Sequence, residues 1–226
     1  MNTLTFRKGT SMAVYTKGKE TKRQLVDLVY RMLRERDAST VTAREIAVAQ
    51  GCSAAAIYRH FESLEALISV ASVRFLHAYM EEYSALMDSD QPFLETYVQG
   101  WELFDRYAFE RPDLYYRLFW GEENHNLGDA VQEYYELFPF EASKKSAAYF
   151  YTLMFNDDMV ERDYLMLHRA VNMGLISDED ARYFSRSNTL MARGMIYDAM
   201  AAEAGEREEL CQTCSELIRV NMSRAM

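Results

Sequence analysis

Residues 42–61 read TAREIAVAQGCSAAAIYRHF, and the order of residue types in this stretch decides the fold. Thr42 followed by Glu45 is a capping-box pattern, in which the hydroxyl takes a backbone N–H and the carboxylate reaches back to the cap. That pattern starts a short helix whose inward residues are Ile46 and Ala47. Gly51 supplies the left-handed turn that ends it. Ser53 then caps a second helix, expected from Ala54 to about His60. Two helices cross closely only with a small residue at the contact, here Ala47, and Ile46, Ile57 and Phe61 are spaced to anchor the pair on a third helix. This is the anatomy of a helix-turn-helix.

Working outward, the stretch before it supplies that third helix. Leu25, Leu28, Val29, Met32 and Leu33 form one apolar stripe, with Lys22, Arg23, Arg31, Arg34 and Arg36 on the other face. In such a unit the second short helix enters the major groove with its N-terminal residues against base edges. Ser53, Ala54 and Ala55 are small enough for close approach, and Tyr58, Arg59 and His60 flank them within reach of phosphates. The whole chain has a net charge of −10, but residues 1–64 carry 11 Lys/Arg against 6 Asp/Glu, a net of +5. The rest carries 14 against 29, a net of −15. A basic head on an acidic body suits a protein that grips DNA at one end only. Residues 1–19, with Arg7, Lys8, Lys17 and Lys19, read either as an arm along the DNA or as a disordered tail.

Downstream, no segment alternates with period two, so the expected class is all-α. Ser63 caps a long fourth helix to about Met87, which Asp88-Ser89-Asp90-Gln91-Pro92 breaks. Further helices are expected over 92–110, 112–120, 127–137, 139–155, 157–173, 178–204 and 206–223. Pro92, Pro112 and Pro139 stand where a first-turn proline is harmless. Ser177 with Asp180 repeats the capping pattern, and Gly174 and Gly205 are candidate C-caps.

The run I-A-x-x-x-G-x-S-x-x-x-I-Y-x-H-F-x-S-x-E-x-L between Val41 and Leu67 resembles the signature of the TetR family of transcription regulators. The resemblance is strong over about residues 20–68. It implies a three-helix DNA-binding head, a helical ligand-binding body and a homodimer formed by the last long helices. Thr42 matches the family's phosphate-touching cap, and Tyr58 and His60 match its backbone-contacting pair. With Arg44, Ser53, Ala54, Ala55 and Arg59 they make up the expected DNA-contact set. One position departs: the family usually has lysine where this chain has Leu64, beside Glu62. The lost phosphate contact shifts the expected burden to Lys17, Lys19, Lys22 and Arg23.

The expected division is an arm at 1–19, a head at 20–66 and a ligand-binding and dimerisation body at 67–226. Aromatic residues crowd two body helices, and Trp101, Phe104, Tyr107, Tyr115, Phe119 and Trp120 are candidates to line an effector pocket. Core packing is the alternative for each. Two stripes are candidate dimer surfaces: Phe184, Met191 and Met195 with Gly194, and Leu210, Cys214, Leu217 and Ile218. Cys211-x-x-Cys214 reads as packing, since His60, His77, His125 and His168 are scattered and Cys52 leaves an odd thiol. Glu122-Glu123-Asn124-His125 reads as a solvated loop. No metal, cofactor or enzyme constellation is expected, for the chain has no phosphate loop, no His-Glu-x-x-His and no serine elbow. No apolar run approaches a membrane span and the first ten residues lack a secretion signal, so the expected location is the cytoplasm. The expected function is that of a regulator, most commonly a repressor, which binds a palindromic operator as a homodimer and is tuned by a small molecule. The alternative is an adaptor that acts through protein contacts without sequence-specific DNA binding.

Overall fold

A computed structural model describes residues 9–121, 127–139 and 158–225, with side chains from Gly18 onward. The expected helix over 139–155, the Glu122–His125 loop and the side chains of Arg7, Lys8 and Lys17 lie outside the described residues. Among those described, every regular element is helical. The head comprises α1 (Gly9–Glu35), a 3₁₀ turn (Ala38–Thr40), α2 (Ala43–Gln50) and α3 (Ala54–Ile57). α4 (Leu64–Ser72), a second 3₁₀ turn (Val73–Phe75) and α5 (Leu76–Met87) follow. The body continues with α6 (Phe93–Glu110), α7 (Pro112–Trp120), α8 (Leu127–Leu137), α9 (Met159–Asn172), α10 (Asp178–Ala199) and α11 (Ala204–Met222).

Local chemistry accounts for most of these limits. α1 buries Leu25, Val26, Val29 and Leu33, the stripe that receives Ile46, Ala47, Ile57 and Phe61. It begins at Gly9, so the backbone of residues 9–19, expected as an arm, continues the helix. Thr42 and Glu45 form the full capping box. Gly51 has φ +68° and ψ 34°, and the N–H of Cys52 returns 2.9 Å to the carbonyl of Ala47. α3 stops at Ile57, three residues short of the expected His60, as His60 and Phe61 both donate to the Ile57 carbonyl in a tightening turn. Ser53 precedes α3 without a side-chain cap bond.

The expected helix from Ser63 to Met87 is two helices. Ser63 does cap the first, accepting from the Ala66 N–H at 3.0 Å. At the far end of α4 the Ser72 hydroxyl donates back to the Ile68 carbonyl at 2.7 Å, a bond that competes with the helical ladder and favours bending. The 3₁₀ turn at Val73–Phe75 follows directly. Gly174, with φ +71°, closes α9 as expected. Gly205 does not close α10. It lies inside α11, and the Arg207 guanidinium closes α10 instead, donating to the carbonyls of Ala199 (3.1 Å) and Ala202 (2.9 Å).

One apolar cluster runs from Leu25 to Met222, with α6 packed against α5, α7, α9, α10 and α11. The head joins this body through α4, which contacts α1 on one side and α7 and α8 on the other. Residues Ala66 to Ser72 are all buried, so the expected boundary at 66/67 falls inside a shared wall. α7 adds polar ties: Asp113 accepts from the Ala38 N–H at 2.9 Å, and Arg111 holds Asp113 at 3.1 Å while donating to the Leu33 carbonyl. Arg117 pairs with Glu65 and Lys22 with Glu133 across the same joint.

A Cβ at Gly51 or at Gly205 meets open space, so the two differ only in backbone conformation. Gly51→Ala is expected to destabilise the fold by about 1–2 kcal/mol. Gly205→Ala should raise stability by about 0.5–1 kcal/mol. Urea unfolding checks both, and a neutral Gly51→Ala would show that the left-handed turn does not govern this corner.

Candidate nucleic-acid interface and body cavity

The turn at Gly51 sets α3 so that Ile57 and Phe61 point into the head core, both nearly inaccessible. Everything between them on the outer side faces solvent. Ser53, Ala54, Ala55 and Arg59 are exposed, and Tyr58 is 50% exposed. Thr42 and Arg44 are exposed as well. Val48, to which the sequence pattern gives no role, stands one turn after Arg44 and is 76% exposed. His60 is half-buried, and burial together with Lys22 and Arg59 holds its ring below the ordinary histidine value.

Three of the expected contacts are engaged within the protein. The Thr42 hydroxyl donates to Glu45 at 2.6 Å, and Glu45 is also bound by Arg36 at 3.0 Å. Those two hydrogen bonds hold the Glu45 carboxyl down to about 2. Lys22, expected to replace the missing cation at position 64, pairs instead with Glu133 on α8 and lies over the Phe61 ring. Arg23 is likewise stacked on Phe138, 5.2 Å from its centroid. Sequence alone assigns both to DNA, because the residues that compete for them, in and just after α8, are more than a hundred positions away. Leu64, at the first turn of α4, is half-buried against the head core.

In the body, a cavity of about 60 Å³ opens between α5, α6, α7 and α9. Trp101, Phe104 and Phe119 from the expected set line it. The other three do not. Tyr115 is buried behind them, stacked on Phe119 at 5.9 Å. Tyr107 turns to the surface and donates to Glu82 at 2.6 Å, and Trp120 packs between Phe104 and Tyr116. Helical spacing places these residues on α6 and α7 but does not say which side of each helix meets α9.

Sequence reasoning missed the polar part of the wall, Arg162 and Asp163 on α9, and the tyrosines Tyr79, Tyr83 and Tyr97. Asp163 accepts from the Tyr97 hydroxyl at 2.6 Å and from the Trp101 indole at 3.1 Å. Asn188 on α10 donates to Tyr97, and Asn221 on α11 donates to Asn188. Burial pushes the Asp163 carboxyl up to about 7, against the two hydrogen bonds that favour its charged form. A charged pair of neighbours in a helical stretch gives no sequence signal of burial, because such residues are ordinarily solvated.

Residues 25–71, from within α1 to within α4, match the family model described as "Bacterial regulatory proteins, tetR family". Among solved structures the chain is similar to the TetR family transcriptional regulator PfmR from Thermus thermophilus. Identity is 19%, coverage 86% of this chain and 96% of that one, and the TM-score 0.47. It is also similar to Thermus thermophilus FadR, a TetR family transcriptional repressor solved in complex with lauroyl-CoA. There the identity is 16%, the coverage 88% and 94%, and the TM-score 0.50, a likeness of fold. No curated protein matches the chain.

A second buried acid lies at the α6–α11 contact. Asp105 accepts from Ser215 at 2.9 Å and from the Cys214 thiol, while its Oδ1 has no hydrogen-bond partner among the described residues. Burial raises its carboxyl to about 7 and also raises both thiols, Cys211 to about 11. Cys211 and Cys214 are therefore packing thiols rather than thiolates. Folded Asp105 keeps its proton to about pH 7, whereas the unfolded chain releases it near 3.8. Between those values the folded state holds more protons, so stability falls as pH rises. Asp105→Asn, which presents the same donor as the protonated acid, should flatten this slope and stabilise the protein at pH 8 by about 2–4 kcal/mol relative to wild type. Parallel urea curves from pH 5 to 8 test it; slopes that match would place the charged acid in a solvated site.

Proposed function

We propose that this chain, which carries the DNA-binding head of the TetR family, acts as a homodimeric transcription regulator, a repressor in its simplest form, tuned by a small molecule in its body. The observation that carries this is the exposed face from Ser53 to Arg59, held out by the buried anchors Ile57 and Phe61. Ser53, Ala54 and Ala55 offer the close approach that base edges need, and Arg44, Tyr58, Arg59 and His60 the phosphate contacts. This reading takes a head up to about residue 66 and a body beyond it, and no described helix is long and apolar enough to cross a membrane.

The dimer surface is the outer side of α10 and α11. Of the two expected stripes, Phe184, Cys214 and Ile218 are core residues of the protomer itself. Met191, Met195 and Leu210 of those stripes are half-buried against the core and Leu217 is exposed; beyond the stripes, Tyr183, Leu190 and Tyr197, seven apart on one side of α10, and Val220 on α11 are exposed as well. All five are more than 40% exposed, an apolar face that calls for a partner. A second copy seated there by two-fold symmetry presents two heads, and operator half-sites about 34–36 Å apart then follow from the pitch of DNA.

Coupling runs through α7. Its Phe119 lines the cavity, its Asp113 and the Arg111 just before it hold the Ala38 turn and the end of α1, and its Arg117 pairs with Glu65 on α4. An effector that moves Phe119 moves the grip on the head, and DNA in turn alters effector affinity by the same factor.

A second reading, an adaptor without sequence-specific DNA binding, draws on the diverted groups: Leu64 in place of a lysine, Lys22 tied to Glu133, and the Thr42 hydroxyl held by Glu45. A gel-shift titration on DNA flanking the gene, with salt varied, separates the two. Under the regulator reading Tyr58→Ala with His60→Ala weakens binding to all sequences alike. Arg59→Ala, which removes a permanent cation, lowers the slope of log affinity against log salt by about 0.9. Wild-type affinity in the double variant would remove the assignment of the face. Leu190→Arg or Leu217→Arg buries an unpaired charge in the dimer, at several kcal/mol, and light scattering should report monomers. Intact dimers in both variants would move the interface elsewhere.

A further inference from the structure

Between the head and α8 lies a cavity of about 320 Å³, lined by Lys19, Lys22 and His60 from the head and by Glu133 and Glu136 from the body. We propose that Glu133 is an internal stand-in for a DNA phosphate: it holds the Lys22 ammonium in the free protein, and the phosphodiester backbone takes Lys22 from it on binding. This rests on reading the head as DNA-binding and adds a reversible brake on that activity.

Three observations carry it. The first is place. His60 closes the turn after α3, at the edge of the face assigned to DNA, and Lys22 lines the same cavity. The Lys22 ammonium also lies over the Phe61 ring, 5.0 Å from the centroid. Phe61 is a buried anchor of the head, so this aromatic seat keeps Lys22 beside His60 whether or not Glu133 is engaged.

The second is strength. The Lys22 and Glu133 side chains stay 31% and 30% exposed. Arg111 and Asp113, which tie the start of α7 to the head, are 20% and 16% exposed. Water reaches the first pair more readily, and a partly exposed ion pair is weak enough to exchange. A duplex offers a phosphate in place of the carboxylate and releases a condensed counterion as well, a gain that no internal carboxylate supplies. The third is charge. Lys19 and Lys22 face two carboxylates across the cavity, so the free protein shows no surplus of positive charge beside His60. Because α8 also contacts α4, movement in the body reaches Glu133, and the strength of the brake follows the state of the body.

The test uses the full-length protein and a labelled duplex of mixed sequence, about 30 base pairs long, followed by fluorescence anisotropy at low salt. Glu133→Gln is expected to tighten binding about fivefold, the upper end of what a partly exposed ion pair holds. Glu136→Gln is the control. It removes the same charge from the same cavity, but its hydrogen bond is with Gln132, at 3.2 Å, not with a cation. Loss of long-range repulsion alone should tighten binding no more than about twofold. Lys22→Gln should weaken binding and lower the slope of log affinity against log salt by about 0.9, the loss of one phosphate contact. In the Lys22→Gln background, Glu133→Gln should then do no more than Glu136→Gln. Equal effects of the two glutamine substitutions in the otherwise native chain overturn the proposal, and so does a Glu133→Gln effect that survives the loss of Lys22. Tighter binding by Lys22→Gln overturns it too, since both variants would then act by loosening the head rather than by freeing a cation. Failure of the DNA-binding reading looks different: no variant shows salt-dependent binding, and the brake falls with it. Binding by the native chain without the Glu133 effect removes the brake alone.

Discussion

The constraint on which the molecule depends is the burial of α4 on every side. From Ala66 to Ser72 no residue faces water, because α1 covers one side and α7 and α8 cover the other. A helix shared in this way cannot belong to one layer alone. If it shifts toward the body, the pocket that holds Leu25, Val29 and Leu33 must follow or open a void, and close-packed interiors tolerate few voids. The head is therefore fastened to the body by packing, and the polar ties of Arg111, Asp113 and Arg117 give that packing a direction. The 3₁₀ turn that follows α4 sits where such a shift is best absorbed, at the back-bonded Ser72.

That fastening also explains where the head's positive charge goes. The joint between a basic head and an acidic body attracts cations of the head to carboxylates of the body, and Lys22 with Glu133 is one result. Arg23 is held over Phe138 on the same side. What faces outward near α3 is thus a small-residue face with two arginines at its edges, Arg44 and Arg59, rather than a broad cationic plate. If this face meets DNA as proposed, it would gain more from close fit than from counterion release.

Much of this was legible from residue types alone. The capping boxes at Thr42 and Ser177, the left-handed Gly51 and Gly174, the stripe on α1 and the spans of α6, α7 and α8 all follow from local rules, and local rules are what a sequence displays. The failures share a cause. The break at Val73 depends on a serine hydroxyl choosing its own backbone, and the end of α10 depends on Arg207 reaching back over it. Phe184, Cys214 and Ile218 look like candidates for a partner's surface because an apolar stripe does not say which of two neighbours it faces. Within the cavity the aromatic wall was half legible, through Trp101, Phe104 and Phe119. The charged part was invisible, because Arg162 and Asp163 stand in a run of charged residues that reads as solvated, and the packing of α6 against α9 buries them.

The buried polar groups also do something that apolar packing cannot. Apolar contacts hold helices together at many relative positions, whereas a hydrogen-bonded network permits few. Two such networks start on α6. One joins Tyr97 and Trp101 to Asp163 on α9, Asn188 on α10 and Asn221 on α11; the other joins Asp105 to Cys214 and Ser215 on α11. α10 and α11 thus have their register against α6 fixed from within, and they carry Leu190, Leu217 and Val220 on the outside. The position of that apolar face relative to the head is set by the same hydrogen bonds that form the floor of the cavity. Under the proposed function, a molecule that enters beside Asp163 would therefore act on two outputs at once. Through Phe119 and α7 it bears on the grip that holds each head, and through Tyr97 and Asn188 on the helices whose outer face a second protomer would meet. Both shifts would change the spacing of the paired recognition helices in the proposed dimer, the one quantity that a two-fold operator reads most strictly.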